Sequence, residues 1–79
     1  MDKMDEALSK LTEGPQPGEH YRHFKKGTLY EVTLRSVDEA TLEQLVSYKR
    51  ADRPGSITRT LKNFTETIKS VPRFQFVNA

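Results

Sequence analysis

The stretch YRHFKKGTLYEVTLRSVDEATLEQLVSYK, Tyr21 to Lys49, decides the fold. Tyr21 to Lys25 gives way to Lys26-Gly27, and Gly27 supplies the φ > 0 position of a short hairpin loop. From Leu29 to Arg35 the side chains alternate. Tyr30, Val32 and Leu34 share one face, and Glu31, Thr33 and Arg35 share the other, which is the period of a strand. Ser36 to Ala40 is polar and turn-like. Thr41 to Lys49 alternates less cleanly, with Leu42, Val46 and Tyr48 on one parity and Leu45 on the other. A helix over Val37 to Tyr48 is the competing reading, because Asp38, Glu39, Ala40, Glu43 and Gln44 all tolerate one. The β-branched and aromatic end and the two flanking turns favour the strand.

Downstream, Arg53-Pro54-Gly55-Ser56 places Pro and Gly at the central positions of a type II turn. Ile57 to Leu61 reads as a fourth strand, Lys62-Asn63 as a bend or a turn of 3₁₀ helix, and Phe64 to Lys69 as a fifth strand. Val71-Pro72 breaks that strand, and Phe74, Phe76 and Val77 close the chain against something apolar. Five short strands separated by turns predict a mainly β domain, a small SH3-like or partly open barrel.

Upstream, Met4, Ala7, Leu8 and Leu11 form one weak helical stripe before the breaker Gly14-Pro15-Gln16-Pro17-Gly18. The expected division is therefore an acidic tail and Gly/Pro linker over residues 1–18 and a barrel over residues 19–79. The tail is either flexible or a short helix that docks through Leu8 and Leu11.

The string YRHFKKGTLYEV, followed by LEQLVSYK, ITRTLKNF and VPRF, resembles domain-of-unknown-function family 1653, small bacterial and phage proteins. The resemblance covers about residues 18–76. It runs through Tyr21, Arg22, His23, Phe24, Lys25, Gly27, Tyr30, Glu31 and Val32, then Leu45, Val46, Tyr48, Arg59, Leu61 and Phe64, and ends at Pro72, Arg73 and Phe74. The chain departs from the family pattern by one extra Lys in the first turn and by Lys49 in place of an Arg. Ile57 stands where the family has Trp, Thr58 and Thr60 flank Arg59 in place of Val and Pro, and Asp38 replaces a frequent His. The resemblance implies a compact β fold and no particular activity.

Composition narrows the functions available. There are no cysteines, which removes disulfides and thiolate metal sites and fits a reducing compartment. No apolar run approaches the ~18 residues of a membrane span, and the N-terminus lacks the apolar centre of a secretory signal. A cytoplasmic setting, in a bacterium or a phage-infected one, is expected. Residues 1–18 carry two Lys against four carboxylates, whereas residues 19–79 carry eleven Lys/Arg against seven Asp/Glu. The body is thus net positive, which permits attraction to phosphates or an acidic partner.

No residue pattern commits to catalysis. His20 and His23 are three apart in a predicted strand and face opposite ways, so no metal is expected. No Ser or Thr sits in a nucleophile elbow, no Gly-rich phosphate loop is present, and the neighbours of Glu31 and Glu43 are basic. The chain reads as a non-enzymatic binding module without a cofactor. Arg22 shares parity with Phe24, and Arg59 with Ile57 and Leu61. An arginine on an apolar parity needs a partner for its guanidinium, either an internal carboxylate such as Glu31 or Glu43, or an anion carried by a ligand.

The expected ligand is an anionic nucleotide-type molecule or single-stranded nucleic acid. Arg22 and Arg59 would fork the phosphate, Tyr21 and Tyr48 would stack a base, His23 would line the site, and Lys25, Lys26 and Arg50 would add long-range attraction. A phage-encoded sequestering protein acting as a homo-oligomer fits this reading. The alternative is an adaptor or inhibitor that docks on a protein partner through an edge strand or the N-terminal helix.

Overall fold

The computed structural model describes residues 2–77; Met1 and residues 78–79, the extreme ends of the predicted tail and barrel, lie outside the described residues. Five antiparallel strands curl into a half-barrel. In chain order they are β1 (His20–His23), β2 (Leu29–Val37), β3 (Gln44–Arg50), β4 (Ile57–Thr60) and, after a short excursion, β7 (Phe74–Val77). Their order in the sheet is β4-β3-β2-β1-β7. The excursion is a two-stranded ribbon of β5 (Thr67–Ile68) and β6 (Val71–Pro72).

The central hairpins form where the sequence directs them. Gly27 takes φ +68°, and its N–H bonds the His23 carbonyl at 2.9 Å, closing the β1–β2 loop. Between β2 and β3, the Asp38 carboxylate accepts the amides of Ala40 and Thr41 at 2.9 and 3.1 Å, a local side-chain turn that stops β2. Residues 44–50 are strand rather than helix. Leu42, expected on the apolar parity of β3, instead sits in the turn with φ +63°.

A bulge in β2 changes which residues face the core. The pairing with β3 shifts between Val32 and Leu34, so Thr33 is the extra residue. Linker residues hold the bulge, with Gly18 N–H donating to the Val32 carbonyl and Val32 N–H to the Glu19 carbonyl, both at 2.9 Å. Alternation reverses beyond it. Leu34, expected inside, is 56% exposed, and Arg35, expected outside, is only 7% exposed.

The C-terminal third also departs from the expectation. Phe64 to Lys69 is not one strand. The Thr60 hydroxyl accepts the Asn63 amide at 3.1 Å and caps a single helical turn, α2 (Leu61–Phe64). That turn drops Phe64 into the mouth of the half-barrel. The fifth strand is β7, which pairs with β1, His23 opposite Phe74 and Tyr21 opposite Phe76. Both β4 and β7 are left as sheet edges, which makes the barrel partly open.

Val32, Val46, Tyr48, Phe64 and Phe74 form the core, with Tyr21, Tyr30 and Leu61 packed against it. Phe64 and Phe74 stack at 4.4 Å with their planes 2° apart, and Tyr48 meets both rings edge-on at 5.5 and 5.3 Å. Burying each ring contributes about 1.5–3 kcal/mol, which makes this cluster the main support of a domain with so few apolar residues.

The N-terminal segment is a short helix, α1 (Lys3–Ser9), continued by a 3₁₀ turn over Lys10–Thr12. Asp2 caps it by accepting the Asp5 amide at 2.8 Å. It docks on its own sheet through Ala7, which is buried, while Leu8 points outward. The Gln44 side chain donates to the Ala7 carbonyl at 2.8 Å. Arg35 fastens the linker by donating to the carbonyls of Glu13 and of Pro15, the latter at 2.7 Å, and to Leu45 and the Gln44 side chain at 3.3 and 2.9 Å. Among the described residues no helix is long and apolar enough to cross a membrane.

Candidate functional site

Strand parity divides the basic side chains of β1 to β4 between the two faces of the sheet. In β1, Tyr21 and His23 face the core, where Tyr21 meets Phe64 at 5.1 Å and His23 meets Phe74 at 5.3 Å. Arg22 lies between them and so faces outward, where its guanidinium donates to the Gly27 carbonyl at 2.8 Å. Arg59 is opposite Val46, on the inner face. Its Nε donates to the Tyr48 hydroxyl at 2.8 Å, and its guanidinium carbon lies 5.9 Å from the centre of the Phe74 ring. The expected Arg22–Arg59 fork is therefore not made, because the sheet stands between the two heads. Nor does either arginine pair with Glu31 or Glu43; Glu31 instead faces His20 at 3.7 Å.

The expected stacking rings are committed to the core as well. Tyr48 is 3% exposed and is surrounded by Tyr30, Phe64 and Phe74. It offers no face to a base. Tyr21 is half-buried between Phe64 and Phe76, with its hydroxyl donating to Glu19 at 3.1 Å. Burial, followed by the hydrogen bond and charge of Glu19, pushes the Tyr21 phenol up to about 12. A domain this small uses its aromatic residues as structure before any can serve as a platform.

Two basic clusters result, one on each side of the β1–β2 loop. The first is an open groove of about 440 Å³ between that loop and the turn after β3. Arg22, Lys26 and Arg50 line it, with Asp52 as its carboxylate. Arg50 pairs with Asp52: its Nε lies 3.3 Å from one carboxylate oxygen without hydrogen-bond geometry, and a terminal nitrogen donates to the other at 3.4 Å. Three of the residues expected from sequence thus converge here without the aromatic ones.

The second cluster lies at the Phe74 rim of the half-barrel. The His23 ring stands against Phe74 and beside Phe24, and Arg59 reaches the same Phe74 ring. Arg73, the residue before Phe74, meets Glu66 at 3.5 Å and has a buried Nε without a partner among the described residues. Desolvation, then the charges of Lys26, Arg73, Arg59 and Lys25, hold the His23 imidazole below its usual range. Arg73 is the residue of this cluster that the sequence reading did not place in a site. Its position in the Pro72-Arg73-Phe74 motif was the available signal.

The arrangement offers cationic donors on two surfaces. Among the described residues no three metal-ligating side chains gather.

No curated protein and no solved structure matches the chain. Residues 19–76, the whole half-barrel apart from the last residue of β7, match the family described as "Protein of unknown function (DUF1653)". The chain belongs to that family.

Proposed function

We propose that the domain is a non-enzymatic module that captures a phosphate-bearing ligand, a nucleotide or a short single strand of nucleic acid, in the groove between the β1–β2 loop and the turn after β3. One observation carries this reading. Arg22, Lys26 and Arg50 come from two separate segments to line a single concavity that contains one opposing carboxylate, Asp52. Three long cationic side chains on one surface raise a local positive potential that a bound anion would relieve. Recognition is through phosphate rather than base, because Tyr21 and Tyr48 are packed inside. The proposal extends to a bacterial or phage-infected cytoplasm, where such a module would sequester its ligand.

Fluorescence anisotropy with a labelled oligothymidine, with unlabelled nucleotides as competitors, tests it. Binding is expected to weaken with salt with a log–log slope of about −2, from ~0.7 per phosphate contact and three cations. Arg22→Gln with Arg50→Gln should weaken it at least ~10-fold, equivalent to ~1.4 kcal/mol. Absence of binding at low salt, or binding indifferent to those changes, would sink the proposal.

A second reading, docking on a protein partner, draws on the two sheet edges. Ile57 on β4 and Phe76 on β7 are 49% and 54% exposed on strands that lack an outer neighbour. Such docking is apolar and would survive salt that disperses a polyanion. The N-terminal helix is the weaker candidate for that role, because its buried Ala7 face is occupied by its own sheet.

A further inference from the structure

We infer that the Phe74 rim carries a second anion site, separate from the groove, in which Arg59, Arg73 and His23 receive a phosphate group. Arg59 spends only Nε within the protein, on Tyr48, and its terminal nitrogens make no hydrogen bond among the described residues. That single bond, together with the Phe74 ring, holds the guanidinium in place and leaves its outer fork available. A purely structural role accounts for this much of Arg59.

It does not account for Arg73. Its Nε is buried without a hydrogen-bond partner among the described residues, and its one ion pair, a terminal nitrogen donating to Glu66 at 3.5 Å, is long and rests on a half-exposed carboxylate. A buried donor left unmet is destabilising, so the position is one that a bound acceptor would stabilise.

The third donor follows from the loop. The backbone amides of Lys25 and Lys26 donate to His23 Nδ1 at 3.2 and 3.3 Å, which places the proton of the neutral ring on Nε2. The charged groups that act on His23 are all cations: Lys25 and Lys26 on its own loop, Arg59 on β4 and Arg73 before β7. The phenols of Tyr30 and Tyr48 stand beyond Phe74, and Glu66 reaches this group only through Arg73. Donors on three separate segments suit a tetrahedral oxyanion better than a planar carboxylate, which one guanidinium fork satisfies alone.

The site has a built-in reporter. An anion bound here favours the imidazolium and raises the His23 pKa, whereas an anion in the groove reaches His23 only through Lys26, so Arg22→Gln is needed to tell the two apart. His20, on the outer face beside Glu31, serves as the internal control. The experiment is a pH titration of both histidines by NMR in the full chain, with inorganic phosphate or AMP replacing chloride at constant ionic strength. Phosphate is expected to raise the His23 pKa by about half a unit or more and to leave His20 in place. An equal response to AMP assigns recognition to the phosphoryl group, and a tighter one assigns the nucleotide. Arg73→Gln should abolish the shift with the amide spectrum still dispersed, and Arg22→Gln should preserve it. No movement of His23 in either ligand, equal movement of His20, equal response to acetate, or loss of the shift in Arg22→Gln would each overturn the site. The wild-type titration decides the matter even if a variant fails to fold. Because Arg22→Gln affects the groove alone, failure of this site and failure of the groove are read separately.

Discussion

Arg35 and Arg73 sit at opposite ends of the half-barrel, the first near the β2–β3 turn and the second beside the β1–β2 loop, and their surroundings differ in kind. Arg35 donates to four acceptors, the carbonyls of Glu13, Pro15 and Leu45 and the side chain of Gln44. Every one of these belongs to the protein, and together they tie the N-terminal segment to the sheet. Arg73 has one long hydrogen bond to Glu66, at 3.5 Å, and a buried Nε with no partner among the described residues. A guanidinium with four of its five N–H groups bonded within its own chain is structural; one placed inside a cluster of like charges with donors unmet needs something from outside. The contrast separates two arginines that composition alone treats as equivalent.

The largest test falls on the satisfied end. Arg35→Met is expected to cost about 3 kcal/mol, because it strands carbonyls in a buried setting and releases the linker. Urea denaturation would read this as a lower midpoint, and amide exchange would show residues 3–16 losing protection first. A loss below ~1 kcal/mol would mean that water satisfies those carbonyls and that Arg35 is not the fastener.

The same end predicts an alkaline transition. The Tyr21 phenol is pushed up to about 12 in the folded protein, chiefly by burial and by its bond to Glu19. The unfolded chain therefore releases this proton at lower pH than the folded one. The stabilising contribution is complete below pH ~10 and is lost as pH climbs from ~10 to ~12. For a partly exposed group the expected size is about 1–2 kcal/mol after solvent screening. Tyr21→Phe should flatten that limb of the stability profile, and an unchanged limb would place its origin elsewhere.

The two ends also differ in how far sequence reveals them. The β1–β2–β3 meander was legible because Gly27 and the alternation from Leu29 carry their information locally. Period-two parity holds only within an uninterrupted strand, and the bulge at Thr33 is imposed by the linker bonding to Val32. Parity counted through the bulge therefore puts Arg35 on the wrong face and hides its role. Phe64 was misplaced for a related reason, since one helical turn is too short to show a 3.6-residue period. The pairing of β7 with β1 brings together residues more than fifty positions apart, and no local pattern marks it. For the sites, basic character was readable and convergence was not. Arg22 lines a groove with Lys26 and Arg50 rather than with Arg59, its expected partner; Arg59 lies with His23 against Phe74, and Tyr48 is needed by the core.

An intermediate case sharpens the contrast. Arg59→Gln removes the bond to the Tyr48 hydroxyl and the contact with Phe74, and should cost about 1 kcal/mol. It should also remove the phosphate response of His23. Loss of stability with the response intact would reassign Arg59 to a structural role like that of Arg35.

The smallest stability effect belongs to Arg73, and its smallness is the point. Arg73→Gln removes a buried donor with no partner among the described residues, which is stabilising, and the 3.5 Å hydrogen bond to half-exposed Glu66, which is destabilising; the two offset, so the change in stability should fall within about ±0.5 kcal/mol. It should act on His23 instead. That imidazole is held below its usual range by burial and by four cations, so folding favours its neutral form. The resulting stability is present above pH ~6.5 and declines as pH falls through the depressed folded pKa. Removing Arg73 takes away one of those cations, moves the His23 titration upward and makes the acid limb shallower. A large drop in stability with the His23 titration unmoved would place Arg73 with Arg35, as a fastener rather than a binding residue.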